Sequence, residues 1–62
     1  MFQYQMSIRA KHKNSAITPY DSPMIAMSMK GAIIKARHLN EGLKQIEVWR
    51  VTELASGETV YL

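Results

Sequence analysis

The sequence predicts a single α+β domain over residues 1–62, one helix packed on a three- or four-stranded, mainly antiparallel sheet, in the order β-(β)-α-β-β. Three observations carry this prediction. Apolar Phe2, Tyr4, Met6, Ile8 and Ala10 alternate with polar Gln3, Gln5, Ser7, Arg9 and Lys11, the period of two of a strand with one covered face. Ile25, Met29, Ala32, Ala36 and Leu39 recur at i, i+4, i+7, i+11 and i+14, which lines one side of a helix. Gln45 to Leu54 concentrates branched and aromatic residues, and Ala55-Ser56-Gly57 offers a short hairpin loop leading into Thr59 to Leu62.

Each element has its own justification. The first strand places its apolar side against the helix and leaves Gln3, Gln5, Ser7, Arg9 and Lys11 on the other sheet face. Lys11 to Ser15 reads as a turn, with Asn14 and Ser15 best suited to its backbone geometry. Ala16 to Thr18 offers a short second strand, kept brief and at a sheet edge by Pro19, which lacks a ladder donor and restricts Thr18. The helix is expected from Asp21 to Leu39: Asp21 or Ser22 caps its first N–H groups and Pro23 fits its first turn. At its far end Arg37 and His38 suit the negative pole of the dipole, and Asn40 and Gly42 accept a left-handed closing conformation.

In the third strand Ile46 and Val48 share one parity while Trp49 and Val51 share the other. Either both sheet faces are covered or a bulge between Val48 and Trp49 changes the phase. Gly57 is expected in the left-handed region of the last hairpin. If the short second strand forms, the first and third strands pair antiparallel and the sheet runs 2-1-3-4. Without it, the helix becomes a right-handed crossover between parallel strands.

Composition narrows the function classes. A chain of 62 residues buries only about 60% of the surface it exposes when unfolded, so its stability is expected to be small. With no cysteine there is no disulfide to supplement the core, and two histidines without cysteine argue against structural zinc. No apolar run approaches the ~18 residues that span a bilayer, and the first residues alternate instead of forming a signal-peptide core. A soluble cytoplasmic protein without cofactor or metal is the expectation.

Net charge is +3, unevenly spread. Residues 1–40 hold six basic side chains against Asp21 alone, whereas residues 41–62 hold Lys44 and Arg50 against Glu41, Glu47, Glu53 and Glu58. The basic part suits an acidic partner, either nucleic acid or an acidic protein surface. Ser15, His12 and Asp21 supply the residue types of a hydrolytic triad without any spacing that supports one, and there is neither a glycine-rich phosphate loop nor a paired-carboxylate motif. The chain is expected not to be an enzyme. His12 reads as a loop histidine and His38 as a helix-end residue, not as metal ligands.

Two surfaces are candidates for binding. On a helix begun at Asp21, Met24, Met27, Gly31, Ile34 and His38 form a second stripe opposite the core, bordered by Lys30, Lys35 and Arg37. Flexible methionines and a glycine that lets another backbone approach suit an adaptable protein contact, or a homodimer through Met27, Gly31 and Ile34. A dimer joined through strand edges is the alternative. The second surface is Arg9-Ala10-Lys11-His12-Lys13, where Arg9, Lys11 and Lys13 share one strand parity and suit phosphates. A charged edge that serves only solubility is the commoner use of such a run. Trp49 either packs in the core, the favoured placement, or joins Arg9 and Lys11 on the outer sheet face as a base-stacking surface.

No residue motif identifies a family. At the level of architecture, the small α+β layout with a cap-and-proline helix start resembles compact phage-encoded proteins that bind and inhibit host enzymes. The resemblance implies a non-catalytic protein-interaction module, of the kind that inhibits a host enzyme, binding an acidic and apolar partner surface through the outer helix face. Nucleic-acid binding through Arg9, Lys11, Lys13 and Trp49 is the alternative expectation.

Overall fold

A computed structural model describes residues 1–62. Five elements follow one another: β1 (Phe2–Ala10), β2 (Tyr20–Ala26), α1 (Met29–Gly42), β3 (Ile46–Glu53) and β4 (Thr59–Tyr61). The sheet runs β2-β1-β3-β4 with every neighbour antiparallel, and the helix covers one of its faces. The α+β class and the 2-1-3-4 order both match the sequence expectation. Tyr4, Met6 and Ile8 of β1 meet Val48 and Val51 of β3 beneath Ala32 and Ala36 of α1, with Ala26 closing the end of β2. Both helix alanines are fully buried, so at these two positions only a methyl group stands between the helix backbone and the strands.

The second strand differs from its expected position. Residues 16–18 form no strand, and the partner of β1 is Tyr20–Ala26, pairing from Phe2↔Ala26 to Ile8↔Tyr20. The helix therefore begins eight residues later than expected. Asp21, Ser22 and Pro23 are strand residues, and Ser28 is the cap: its backbone is extended (φ −159°) and its Oγ accepts the Gly31 N–H at 3.2 Å. Pro23 is tolerated because β2 is an edge strand. The expected cap-and-proline helix start, on which the phage-inhibitor resemblance leaned, is absent.

The helix ends at Gly42, where Asn40 and Gly42 were expected to close it, but by another device than a left-handed residue. Leu43 is the C-terminal cap, extended at φ −90°, with its N–H bonded to the Leu39 carbonyl. The one positive φ in the chain is that of Gly57 (76°), in the hairpin between β3 and β4 where a left-handed residue was expected. Of the expected core stripe, Ala32 and Ala36 are buried and Met29 packs against the core. Leu39 is exposed, and Ile25 lies on β2, half exposed and opposite Gln3 on the face away from the helix.

The phase of β3 is resolved by a bulge. Ser7 pairs with Arg50 and Ile8 with Val48, leaving Trp49 as the extra residue. Ile46, Val48 and Val51 consequently face the helix, while Trp49 and Arg50 both turn to the opposite face. The favoured core placement of Trp49 is corrected by this geometry. The bulge sits beyond the end of β4, whose pairing covers only Arg50 to Thr52. There the Asn40 side chain reaches across from the helix, its Oδ1 accepting the Val48 N–H at 2.7 Å and its Nδ2 donating to the Val48 carbonyl at 2.9 Å.

Candidate nucleic-acid interface

The sheet face opposite the helix carries no covering layer, and the bulge gathers the chain's single tryptophan and two arginines on it. Arg50 Cζ lies 4.6 Å from the Trp49 ring centre and Arg9 Cζ 5.1 Å, both within cation–π range. Tyr61, placed opposite Arg50 on β4, brings its ring to 5.9 Å from that of Trp49, tilted by 34°. The two rings are offset neighbours, and Tyr61 remains 67% exposed. Arg50 Nε donates to the buried Ser7 hydroxyl at 3.0 Å, which fixes this guanidinium on the sheet.

Arg9 is held differently. Its Nε donates to Glu47 Oε1 at 3.0 Å in a pair whose arginine side chain is 53% exposed, an arrangement worth little energy and readily exchanged for another anion. From Arg9 the surface continues into a cleft of about 520 Å³ at the end of β1, lined by Lys11, His12 and Lys13 together with Ser15, Ile17 and Pro19. Ser15 Oγ accepts the Ile17 N–H at 3.1 Å, shaping that loop. Arg9 belongs to both the aromatic centre and the cleft.

Of the residues read from the sequence as a nucleic-acid site, Arg9 and Trp49 are thus in contact, and Arg9, Lys11 and Lys13 line one cleft. Sequence reasoning missed Arg50, Tyr61 and Glu47. Following the bulge option at Val48–Trp49 one step further brings Arg50 to the same face as Trp49, and the alternation of Thr59 and Tyr61 does the rest.

The helix-face set is dispersed. Met24 lies on β2, and Met27, 72% exposed, lies in the bend before the Ser28 cap. Gly31 sits in the first helical turn beside Ser28. Lys30, Ile34, Arg37 and His38 are exposed on the helix, where Ile34 is an apolar residue among charges and no stripe forms. Lys35 Nζ donates to the Ile25 carbonyl at 2.8 Å and ties the helix to β2. Lys35 and His38 do meet Met24 again in a groove of about 510 Å³ between helix and sheet, together with Met6, Pro23 and Leu39.

No helix is long and apolar enough to cross a membrane. One titrating group is displaced from its ordinary range: burial pushes the Tyr4 phenol up, with repulsion from the Glu53 and then the Glu58 carboxylate acting in the same direction. The Glu53 carboxylate is close enough to oppose ionisation, yet the Tyr4 hydroxyl meets no partner at hydrogen-bond geometry. Compared with protein families, curated proteins and solved structures, the chain matches none.

Proposed function

We propose that the chain is a non-catalytic nucleic-acid-binding protein that uses the open face of its sheet. The observation that carries this reading is Trp49, turned by the bulge onto the uncovered face between two arginines and beside an exposed tyrosine, with a lysine-lined cleft adjoining it. Aromatic faces attract bases and the neighbouring cations attract phosphates, so the arrangement offers both parts of a nucleic-acid surface. Phosphate contacts release counterions and make affinity fall with salt. Titration of labelled single-stranded and duplex DNA and RNA at two salt concentrations is the test. Binding that weakens steeply with salt supports the reading, and no binding at low salt ends it.

A second reading keeps the protein-interaction module, including inhibition of a partner enzyme or pairing with a second copy of this chain. The groove formed by Met24, Leu39, Lys35 and His38 favours it, since apolar walls with basic neighbours suit an apolar segment carrying acidic residues. A protein partner lost on Leu39→Glu but retained by sheet-face variants supports this second reading. Sedimentation equilibrium over a hundredfold concentration range tests the homodimer: a mass fixed at 7.1 kDa refutes it.

A further inference from the structure

We infer that the nucleic acid taken up by this face is single-stranded, with one base stacked at Trp49 and Tyr61 and the backbone running past Arg9 into the Lys11–Lys13 cleft. The inference rests on the nucleic-acid reading above and specifies its ligand.

The shape of the sheet favours a single strand. The aromatic pair lies within a four-stranded sheet, not on a projecting helix or loop. With neighbouring strands about 4.8 Å apart, the edge strands are separated by about 14 Å, wider than the ~12 Å major groove of a duplex. Inside a duplex the base faces are already stacked on one another, and only an unpaired base presents a face to a ring lying on a sheet. Trp49 and Tyr61 are tilted neighbours, and the exposed Tyr61 ring is open to such a base.

Charge supplies the path. Arg50 is fixed by Ser7 and stays beside Trp49, so it marks one side of the stacked base. Arg9 is held by the partly exposed Glu47 and by its place over the Trp49 ring, and in turning to a phosphate it breaks no buried contact and frees that part of the ring for the base. Because Arg9 also lines the cleft, the phosphate next to the stacked base leads directly to Lys11 and Lys13. Glu47 sits beside this path and disfavours any ligand that cannot compete for Arg9. RNA and DNA single strands share the chemistry described.

The test uses the full chain with fluorescein-labelled oligo(dT), oligo(U) and a mixed-sequence DNA duplex, each about a dozen units long. Trp49 is the only tryptophan, so its emission reports this site alone. The expected result is quenching of Trp49 by the single strands, an affinity at least about tenfold above that for the duplex, and a loss of about five- to a hundredfold for single strands on Tyr61→Ala, the range of one stacked base. Trp49→Phe should retain most of the affinity that Trp49→Ala loses. Tyr61→Ala alters an exposed side chain at the edge strand, and its circular dichroism and unfolding midpoint confirm that the fold is retained. Equal or tighter duplex binding, or binding without quenching and without a Tyr61 effect, overturns the single-strand inference while nucleic-acid binding itself stands. Absence of binding to all three at low salt overturns both. Comparing oligo(dT) with oligo(U) tells whether the 2′-hydroxyl contributes.

Discussion

The Asn40 carboxamide grips both backbone groups of Val48, accepting its N–H at 2.7 Å and donating to its carbonyl at 2.9 Å. This contact fills the place of a neighbouring strand where β4 has already ended, and it lies next to the residue that turns Trp49 outward. Asn40→Ala is expected to cost about 1–3 kcal/mol by leaving two partly buried groups unpaired. Against a total of about 3–9 kcal/mol for a chain this short, that is a large share. Urea unfolding followed by Trp49 emission checks it, with a lower midpoint and an altered native emission expected together.

Glu47→Gln removes the carboxylate that occupies Arg9. Since the pair is partly exposed, stability should change by less than about 0.5 kcal/mol. Affinity for single-stranded oligonucleotide should instead rise about two- to fivefold, because Arg9 no longer exchanges one anion for another. Anisotropy titrations of wild type and variant at the same salt concentration provide the comparison. Unchanged or weaker binding would place Arg9 outside the phosphate path.

Lys11→Ala and Lys13→Ala should weaken binding to all sequences alike and shrink its salt dependence. With Arg9, Lys11 and Lys13 each meeting a phosphate, the slope of log K against log salt for a single strand should be about −2. Each lysine removed should reduce its magnitude by about 0.7. A slope unaffected by both substitutions would show that the cleft carries no phosphate.

Tyr4 gives a pH prediction. Its phenol is buried without a hydrogen-bond partner, and burial first, then the Glu53 carboxylate, raises its pKa above the ordinary value of 10.0. The unfolded chain releases this proton at lower pH than the folded one does, so the stability due to neutral Tyr4 is complete below pH 10 and is lost as pH rises from there towards the folded pKa. Tyr4→Phe should be neutral or stabilising near pH 7, by up to about 1 kcal/mol, and should lack this alkaline loss. Thermal unfolding of both proteins across pH 8 to 11 measures the difference.

Much of the fold was legible because several elements carry undiluted patterns. The alternation in Phe2–Lys11 gave β1 and both its faces, the mismatch of Ile46 and Val48 with Trp49 and Val51 gave a bulge as one of two options, and Gly57 gave the last turn. The misplaced helix start has a physical origin. On β2 the helix-facing positions are Tyr20, Ser22, Met24 and Ala26, while apolar Ile25 faces the other way, so the strand shows no period of two. Its pairing with β1, distant in sequence, decides its conformation. Extending the helical count back through Ile25 then made Met24 and Met27 look like an outer stripe that the Ser28 cap excludes. Arg9, Lys11 and Lys13 were legible as a basic run, but Arg50 and Tyr61 join Trp49 only through the bulge and the β3–β4 register.

Titrating the isotopically labelled protein with oligo(dT) and following its amide and indole resonances locates nucleic acid on the uncovered sheet face or elsewhere. The largest changes should fall on Arg9, Lys11, Lys13, Trp49, Arg50 and Tyr61, including the Trp49 indole N–H, while Lys30, Ile34 and Arg37 on the outer helix stay in place. Changes centred on that helix side, or on the groove around Met24, Lys35 and Leu39 with the sheet face silent, would contradict binding at the sheet face.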